Sequence, residues 1–231
     1  VTLTVTTPAT PIMGGPVPSV NPATGVVSVP AGTPAGVYTI VYNLCENLNP
    51  TNCDPATITV TVAPPAIIAN DDTYGPVNGY TGNANVGNAI LGNDLLNGAP
   101  AMLSQVTLSV VNPATPIMGG PVPVVAPGTG AGAGIVSVPA GTPAGVYTID
   151  YNLCENLNPT NCDPATITVT VAPPVINADD DTYGPVNGYT GNPNVGNALT
   201  NDDLNGAPVN PSEVTLTVTT PATPIMGGPV P

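Results

Sequence analysis

The stretch GTPAGVYTIDYNLCENLNPTNCDPATITVTVAP, residues 141–173, decides the fold of this chain. In YTIDYNL (147–153) large apolar residues alternate with polar ones, and TITVTV (166–171) alternates isoleucine or valine with threonine. Alternation with a period of two predicts half-buried β-strands. The cysteine-bearing segment between them is therefore expected to form the loop of a β-hairpin.

The chain repeats itself over distances of about 100 residues, which is the length of a domain. The stretch at 141–173 also occurs at 32–64, with Val41 in place of Asp150. That position falls on the outward face of the predicted strand, where either residue is tolerated. VTLTVTTPATPIMGGPVP, residues 1–18, returns unchanged at 214–231 and with small changes at 106–123. DDTYGPVNGYTGN occurs twice as well, at 71–83 and 180–192.

No part of the sequence has helical periodicity, and Asn-Gly pairs mark tight turns at 78–79, 97–98, 187–188 and 205–206. Short strands at this spacing predict an all-β fold of tandem immunoglobulin-like antiparallel β-sandwich domains arranged as a rod or filament. The double prolines at 64–65 and 173–174 indicate stiff linkers. We therefore expect the end of one repeat at 1–65, a complete repeat at 66–174 and the start of a third at 175–231. In the complete repeat, strands are expected near 72–76, 86–91, 105–112, 119–125, 134–138, 145–153 and 164–171.

The composition excludes several classes of function. The chain has no Lys, Arg or His, and its 14 acidic residues give a net charge of −14. Without basic residues it cannot neutralise nucleic-acid phosphates. Without histidine the Ser-His-Asp and Cys-His catalytic schemes cannot be built. For the same reason we expect no enzyme activity.

No segment approaches 18 consecutive apolar residues, so we also expect no membrane insertion.

The four cysteines form two identical pairs, Cys45 with Cys53 and Cys154 with Cys162. An even number at a fixed spacing predicts local disulfides, and hence a secreted, extracellular or cell-surface protein. The alternative is a pair of metal-binding thiol sites, although this spacing without histidine is not typical of zinc.

The order of motifs resembles a known group of repeats. NDD followed by TY, a GND segment, VTL strands, GTPAGVYTI with a cysteine, and a closing TITVTV look like the tandem bacterial immunoglobulin-like or cadherin-like repeats of giant surface proteins. The cysteine-bearing variant is similar to repeats in secreted adhesins of Bacteroidetes. The resemblance implies export, a rod of stacked domains and a role as an extender or filament.

The acidic residues are expected to gather at the joints between repeats. In the immunoglobulin topology, the start of the first strand, the loop after the second strand and the last hairpin loop share one end of the sandwich. A solvated acidic rim is one interpretation, and a calcium ion that stiffens the joint is the other. The candidate ligands are Asp71, Asp72, Asp94, Glu155 and Asp163 in the complete repeat, and Asp180, Asp181, Asp202 and Asp203 in the next one.

The leading interpretation of function is a structural repeat array that forms an extracellular fibre, stalk or surface filament, with neighbouring repeats or identical subunits as partners. The alternative is an adhesive module in which each repeat recognises cell-surface or glycan ligands. PATPIMGGPVP, present in all three copies, is the candidate surface for that role. The sequence is compatible both with one long chain and with shorter subunits that polymerise by exchanging strands.

Overall fold

The computed structural model describes residues 1–226, 228 and 230, and within them it contains strands and no helix. This confirms the all-β prediction. Residues 1–172 form one compact unit and residues 173–231 form a second. Gly227, Pro229 and Pro231, which belong to the third copy of the candidate binding surface, lie outside the described residues. The prediction of three domains stays a prediction.

Residues 1–64, called the first repeat below, contain a three-stranded antiparallel sheet in the order β1-β4-β5 and a separate β2-β3 ribbon. The alternation predicted from the sequence places Tyr38 and Ile40 inward, and both side chains are 1% exposed. The strands are β1 (Thr2–Thr7), β2 (Ser19–Val20), β3 (Val27–Ser28), β4 (Gly36–Cys45) and β5 (Cys53–Val62).

Residues 66–172, called the complete repeat, form a β-sandwich. A four-stranded sheet in the order β11-β14-β15-β7 shares one core with a three-stranded sheet in the order β12-β13-β8. A third sheet, β10-β9-β6, consists of two-residue strands. The strands are β6 (Ile67–Ile68), β7 (Asp72–Asn78), β8 (Asn83–Asn88), β9 (Leu95–Leu96), β10 (Ala99–Pro100), β11 (Val106–Asn112), β12 (Val124–Val125), β13 (Ile135–Val138), β14 (Gly145–Glu155) and β15 (Cys162–Ala172).

The core of the complete repeat follows the predicted alternation. Tyr151, Leu153 and Ile167 are 0% exposed, and they pack in one cluster with Val136 of the opposite sheet. Asp150 lies on the outward side, as predicted. Its carboxylate accepts hydrogen bonds from Asn112 Nδ2 and from the Thr166 hydroxyl, both at 2.9 Å. Burial of the apolar face against a second sheet is the main force that holds the sandwich together.

One strand pair departs from the predicted antiparallel arrangement. The first long strand, β7, pairs with the last, β15, in parallel, with Asp72 opposite Ile167 and Val77 opposite Val171. The register shifts between Val169 and Val171. Sequence alternation reports which face of a strand is buried, and it carries no information about the direction of the neighbouring strand.

Two strands and one ribbon also differ from the prediction. The strand expected near 86–91 lies at Asn83–Asn88. The strand expected at 119–125 is reduced to Val124–Val125, because the prolines at 121 and 123 lack the N–H group that a ladder needs. The β9–β10 ribbon was not predicted. Its turn is the Asn97-Gly98 pair, whose φ angles of 52° and 74° are those that a tight hairpin requires.

The second unit contains three short strands, β16 (Ile176–Asn177), β17 (Asp203–Leu204) and β18 (Ala207–Pro208), which form one sheet. Another predicted turn, Asn205-Gly206, connects β17 with β18, and Asn205 has a φ of 56°. This ribbon reproduces the β6, β9 and β10 arrangement of the complete repeat.

Candidate functional site at the joint between two repeats

Both predicted disulfides are present. Cys154 lies opposite Cys162 in the β14–β15 register, and their sulfur atoms are 2.03 Å apart. Cys45 and Cys53 are related in the same way between β4 and β5, with a sulfur–sulfur distance of 2.01 Å. Each disulfide therefore closes the base of a loop, which we call the disulfide loop: residues 46–52 in the first repeat and 155–161 in the complete repeat.

The disulfide loop of the complete repeat has a defined internal hydrogen-bond network. The Asn161 amide donates to the Asn158 carbonyl oxygen at 2.8 Å, and the Glu155 amide donates to the Asn161 carbonyl oxygen at 3.0 Å. Glu155 is 4% exposed, and its Oε2 accepts a hydrogen bond from Asn158 Nδ2. The Glu155 carboxylate is thus used to hold the loop.

This loop contacts the first repeat. The Ala35 amide donates to Asn158 Oδ1 at 2.6 Å, and Asn161 Nδ2 donates to the Pro65 carbonyl oxygen at 2.8 Å. A shallow groove lies between the two repeats, lined on one side by the loop and on the other by the residues we call the receiving surface: Ile12, Met13, Ala35 and Pro64. The loop is therefore the joint between these two repeats.

The local sequence shapes the receiving surface. Gly36 has a φ of 153°, and a Cβ atom at this position would lie 2.4 Å from Ile12 Cδ1. A side chain here would displace Ile12, so glycine is required for Ile12 to reach this position. Gly145 and Ile117 show the same 2.4 Å relationship in the complete repeat.

Asp94 is the most deeply buried of the candidate acidic residues. Its side chain is 1% exposed, and Oδ1 accepts a hydrogen bond from the Asn70 amide at 2.8 Å. Oδ2 is buried without a partner among the described residues, as is Asn93 Oδ1. The pKa of Asp94 is raised to about 7, chiefly by burial. The neighbouring carboxylates Asp72 and Asp163 contribute to the rise, and the hydrogen bond from the Asn70 amide opposes it.

Asp72 lies beside Asp94 at the start of β7 and is 8% exposed. Its Oδ1 is 3.2 Å from Asn93 Nδ2 and 3.3 Å from the Tyr74 hydroxyl. Its Oδ2 is 3.4 Å from the Tyr151 hydroxyl. Burial raises the pKa of Asp72, and hydrogen bonds from these neighbours oppose the shift. Burial is also the largest cause of the raised pKa of Tyr151.

The other candidate acids of this repeat are tied to separate backbone segments. Asp71 Oδ1 accepts from the Thr166 amide at 2.8 Å, and Asp163 Oδ2 accepts from the Ala69 amide at 2.9 Å. Asp71 joins the start of β7 to β15, and Asp163 joins the segment between β6 and β7 to the same strand. These carboxylates fix the entry of the chain into the repeat.

In the second unit, the candidate acids make similar local bonds. Asp202 is 8% exposed, and its Oδ1 accepts from the Asp179 amide at 2.9 Å, as Asp94 does from Asn70. Asp203 Oδ1 accepts from the Gly206 amide at 3.0 Å. Asp181 Oδ1 accepts from the Tyr183 hydroxyl at 2.9 Å, and the Asp180 carbonyl oxygen accepts from Asn201 Nδ2 at 3.3 Å.

The grouping of these acids bears on calcium binding, which stays a prediction. In the part of the chain that the structure describes, no three Asp, Glu, Cys or His side chains are grouped closely enough to hold a metal ion. Calcium needs six to eight oxygen ligands, and most of the carboxylates have backbone or asparagine partners instead. Of the predicted acids, Asp72 and Asp203 lie at the starts of strands and Asp94 lies directly before one. Their gathering at a joint stays a prediction.

Sequence reasoning missed the asparagines 70, 93, 158 and 161. The only signal of Asn93, Asn158 and Asn161 was their recurrence beside the acids and the cysteines, and Asn70 lacks even that, because the next copy has Asp179 at the equivalent position.

We predict that the pH dependence of stability reports on Asp94. Its pKa is raised from the usual 3.8 to about 7 on folding, so the folded state holds this proton more tightly than the unfolded state. The free energy of unfolding therefore falls as pH rises between about 4 and 7, with a slope of up to about 1.4 kcal/mol per pH unit. Asp94→Asn should flatten this slope in urea titrations with a chelator present.

The matched control for this prediction is Asp150→Asn. Hydrogen bonds from Asn112 and Thr166 lower the pKa of Asp150, so its stabilising effect is present at higher pH and is lost on acidification. This variant should leave the fall between pH 4 and 7 in place. An equally steep slope in the wild type and in Asp94→Asn would contradict the assignment to Asp94.

Comparison with known proteins gives a distant structural likeness. No protein-family model matches this chain, and no curated protein matches it. A structure of the protocadherin gamma B2 extracellular cadherin domains 3–6 is similar at 12% identity and a TM-score of 0.35, covering 67% of this chain and 38% of that one. The protocadherin gammaB7 EC3-6 cis-dimer structure is similar at 12% identity and a TM-score of 0.31, covering 79% of this chain and 43% of that one.

This chain thus spans less than half the length of these two structures. At such low TM-scores the likeness carries no conclusion about function, and the sandwich is established by the strand pairing of this chain itself. The described residues also contain no helix of the length and apolarity needed to cross a membrane.

Proposed function

We propose that this chain is part of an extracellular structural repeat array, an extender that sets distance by the number of its domains. The observation that carries the proposal is the joint: the disulfide loop of the complete repeat is hydrogen-bonded to the first repeat through Asn158 and to the linker through Asn161. A disulfide-closed loop positions these two amides with little freedom. A spacer needs residues that fix one domain against the next, and the loop that does so here has the same sequence in both repeats.

Extracellular location is part of the same proposal. The two disulfides persist in oxidising compartments and are rare in the cytosol. The chain has no Lys or Arg, the residues after which trypsin-like proteases cut, which suits a fibre exposed to secreted proteases. The sequence contains no histidine that could act as a catalytic base, so the proposed role is that of a structural protein and not of an enzyme.

We predict that Asn158→Ala loosens the joint. The variant removes the acceptor of the Ala35 amide, and a lost hydrogen bond of this kind corresponds to about 1 kcal/mol. Hydrogen exchange of the Ala35 amide should therefore accelerate about fivefold to tenfold. Small-angle scattering of the full chain should show a broader distribution of interatomic distances than in the wild type.

The control for the joint is Asn49→Ala, the same change in the loop of the first repeat, where the Asn49 side chain donates to Glu46 of its own loop. It should leave Ala35 exchange and the scattering curve unchanged. If the Ala35 amide of the wild type already exchanges at the rate of an unprotected amide, the joint is not fixed in solution and the spacer proposal fails.

The second candidate function is an adhesive module, and one observation favours it. Met118, in the middle of PATPIMGGPVP, is 90% exposed, and Met13 in the first copy is 66% exposed. Exposed apolar side chains recurring in each repeat are a feature of ligand surfaces. Binding of the full chain to a glycan array or to whole cells, abolished by Met118→Asp, would favour the module over the spacer.

Calcium binding at the acidic end of the repeat stays a prediction that a titration decides. Asp94 Oδ2 and Asn93 Oδ1 are the two buried oxygens without partners among the described residues, so they are the atoms a cation would contact first. Calorimetric titration of the metal-free chain with calcium should then give heat, and calcium should raise the melting temperature. Both effects should be absent in Asp94→Asn. No heat and no shift in the wild type would contradict calcium binding at this end of the repeat.

A further inference from the structure

An asparagine of the β9–β10 turn holds the linker that leads into the complete repeat. The Asn97 amide donates to the Ala66 carbonyl oxygen at 2.7 Å, and the Ala66 amide donates to Asn97 Oδ1 at 3.1 Å. Ala66 follows Pro65, whose carbonyl oxygen accepts the hydrogen bond from Asn161 of the disulfide loop. The two bonds of Asn97 therefore hold the chain directly next to the joint between the repeats.

The glycine after Asn97 makes this attachment chemically labile. The backbone nitrogen that follows an asparagine can attack the side-chain carbon Cγ, and glycine obstructs the attack least because it has no Cβ atom. The new N–C bond closes a succinimide ring, and the side-chain NH2 group takes up the proton of the glycine N–H and leaves as ammonia. Water then opens the ring at either carbonyl carbon and gives aspartate or isoaspartate. Water is the only other reactant.

The surroundings of the glycine nitrogen differ between the Asn-Gly pairs. An N–H group becomes a nucleophile when it loses its proton, so a bond that holds the proton slows the attack. The Gly79 amide donates to the Ala172 carbonyl oxygen at 3.0 Å, and the Gly206 amide donates to Asp203 Oδ1 at 3.0 Å. In the described part of the chain no group accepts a hydrogen bond from the Gly98 amide, and this glycine is exposed to solvent.

The second unit contains a matched turn for comparison. Asn205-Gly206 has φ angles of 56° and 74°, against 52° and 74° in Asn97-Gly98. Asn205 bonds to the backbone of Val175 with the same two lengths, 2.7 Å and 3.1 Å. The segments NDLLNGAP and NDDLNGAP that contain the two turns differ in one residue, Leu95 against Asp203. The carboxylate beside Gly206 is therefore the local difference between two otherwise equal turns.

We propose that Asn97-Gly98 is a site of spontaneous deamidation, and that the isoaspartate formed there releases the linker. A carboxylate beside Gly206 repels the anionic nitrogen that must form, whereas leucine at position 95 does not. In isoaspartate the main chain runs through the former side-chain carbon, which adds one CH2 group to the turn and displaces the acceptor of the Ala66 amide. The modification itself does not depend on the proposed function, and its effect on the joint does.

The test follows deamidation of the full chain, with both disulfides intact, during incubation in mildly alkaline buffer. Pepsin digestion at acidic pH, where the succinimide forms slowly, gives peptides for mass spectrometry, and an isoaspartyl methyltransferase labels those that contain isoaspartate. Asn97 should convert about fivefold faster than Asn205, the factor expected for two unit charges about 4 Å apart in water. Equal rates at the two asparagines would contradict the proposal.

Exchanging the residue beside each turn provides the matched variants. Leu95→Asp should slow the conversion of Asn97 about fivefold, and Asp203→Leu should accelerate that of Asn205 by the same factor. The second variant tests the carboxylate independently, since it remains informative if aspartate at position 95 disturbs the ribbon. An Asn205 rate that does not change in Asp203→Leu would refute the role given to the carboxylate.

Hydrogen exchange separates the modification from its effect on the linker. The comparison is between chains with isoaspartate at position 97, purified after incubation, and Asn97→Asp, which has the same charge and keeps an oxygen that can accept from Ala66. Exchange of the Ala66 amide should accelerate about fivefold in the isoaspartate chains and stay near the wild-type rate in Asn97→Asp. If Asn97 converts and Ala66 exchange does not change, release of the linker is wrong. The proposed function is tested apart from this, by Ala35 exchange in the unmodified chain.

Discussion

Replacing Cys154 and Cys162 with alanine is expected to lower the free energy of unfolding of the complete repeat by about 2–3 kcal/mol. The two residues are eight positions apart and pair directly across the β14–β15 hairpin. A crosslink over so short a loop removes this amount of conformational freedom from the unfolded chain in the entropy model. Urea unfolding, followed by hydrogen exchange of the Ile149 and Ile167 amides, measures the effect in the repeat concerned.

The same replacement should also free the joint, because the disulfide closes the loop that carries Asn158. Exchange of the Ala35 amide should rise together with the loss of stability. The matched control replaces Cys45 and Cys53, which close the identical loop of the first repeat. That variant should leave the Ile149 amide at its wild-type rate, because Ile149 lies in the complete repeat. Equal effects of the two replacements on Ile149 would refute the local role assigned to each disulfide.

Leu153→Ala is expected to lower the free energy of unfolding of the complete repeat by about 2–5 kcal/mol, the range found when a buried leucine is truncated in a packed core. The Leu153 side chain is 0% exposed and belongs to the cluster that both sheets share. Its truncation removes apolar contacts and leaves a cavity. Thermal and urea unfolding of the full chain provide the measurement.

The repeat supplies an internal control for this prediction. Leu44 occupies the same place in the YNLC motif of the first repeat, and its side chain is 40% exposed. Leu44→Ala should therefore cost under about 1 kcal/mol, because a surface position loses little buried area. If the two leucines respond alike, the core of the complete repeat is not packed as described.

The β14–β15 hairpin was predicted almost completely, because the residues that determine it are close together in the sequence. Alternation in Gly145–Glu155 and Cys162–Ala172 defined the buried faces, and the even cysteine count defined the disulfides. The turn at Asn97-Gly98 followed from the need for positive φ angles. Each of these features depends on residues close together in sequence, where propensity and periodicity apply directly.

The remaining features depend on contacts between distant residues, and the sequence alone did not reveal them. The parallel pairing of β7 with β15 brings together positions about one domain apart. The contact of Asn158 with Ala35 joins two repeats, and an asparagine in a loop carries no signal of its partner. The acids were placed at one end of the sandwich, but their hydrogen bonds to separate amides require coordinates.

The parallel pairing of the first and last long strands has a mechanical consequence. After the two-residue strand β6 the chain runs through β7, and it leaves the complete repeat through β15; β7 and β15 run in the same direction side by side. Tension applied along the chain at these two ends pulls the strands past one another. Their hydrogen bonds are then strained together, in shear, and do not open one at a time as in the peeling of a hairpin. The repeat is thus arranged to resist stretching along the direction in which an array of such repeats would be pulled.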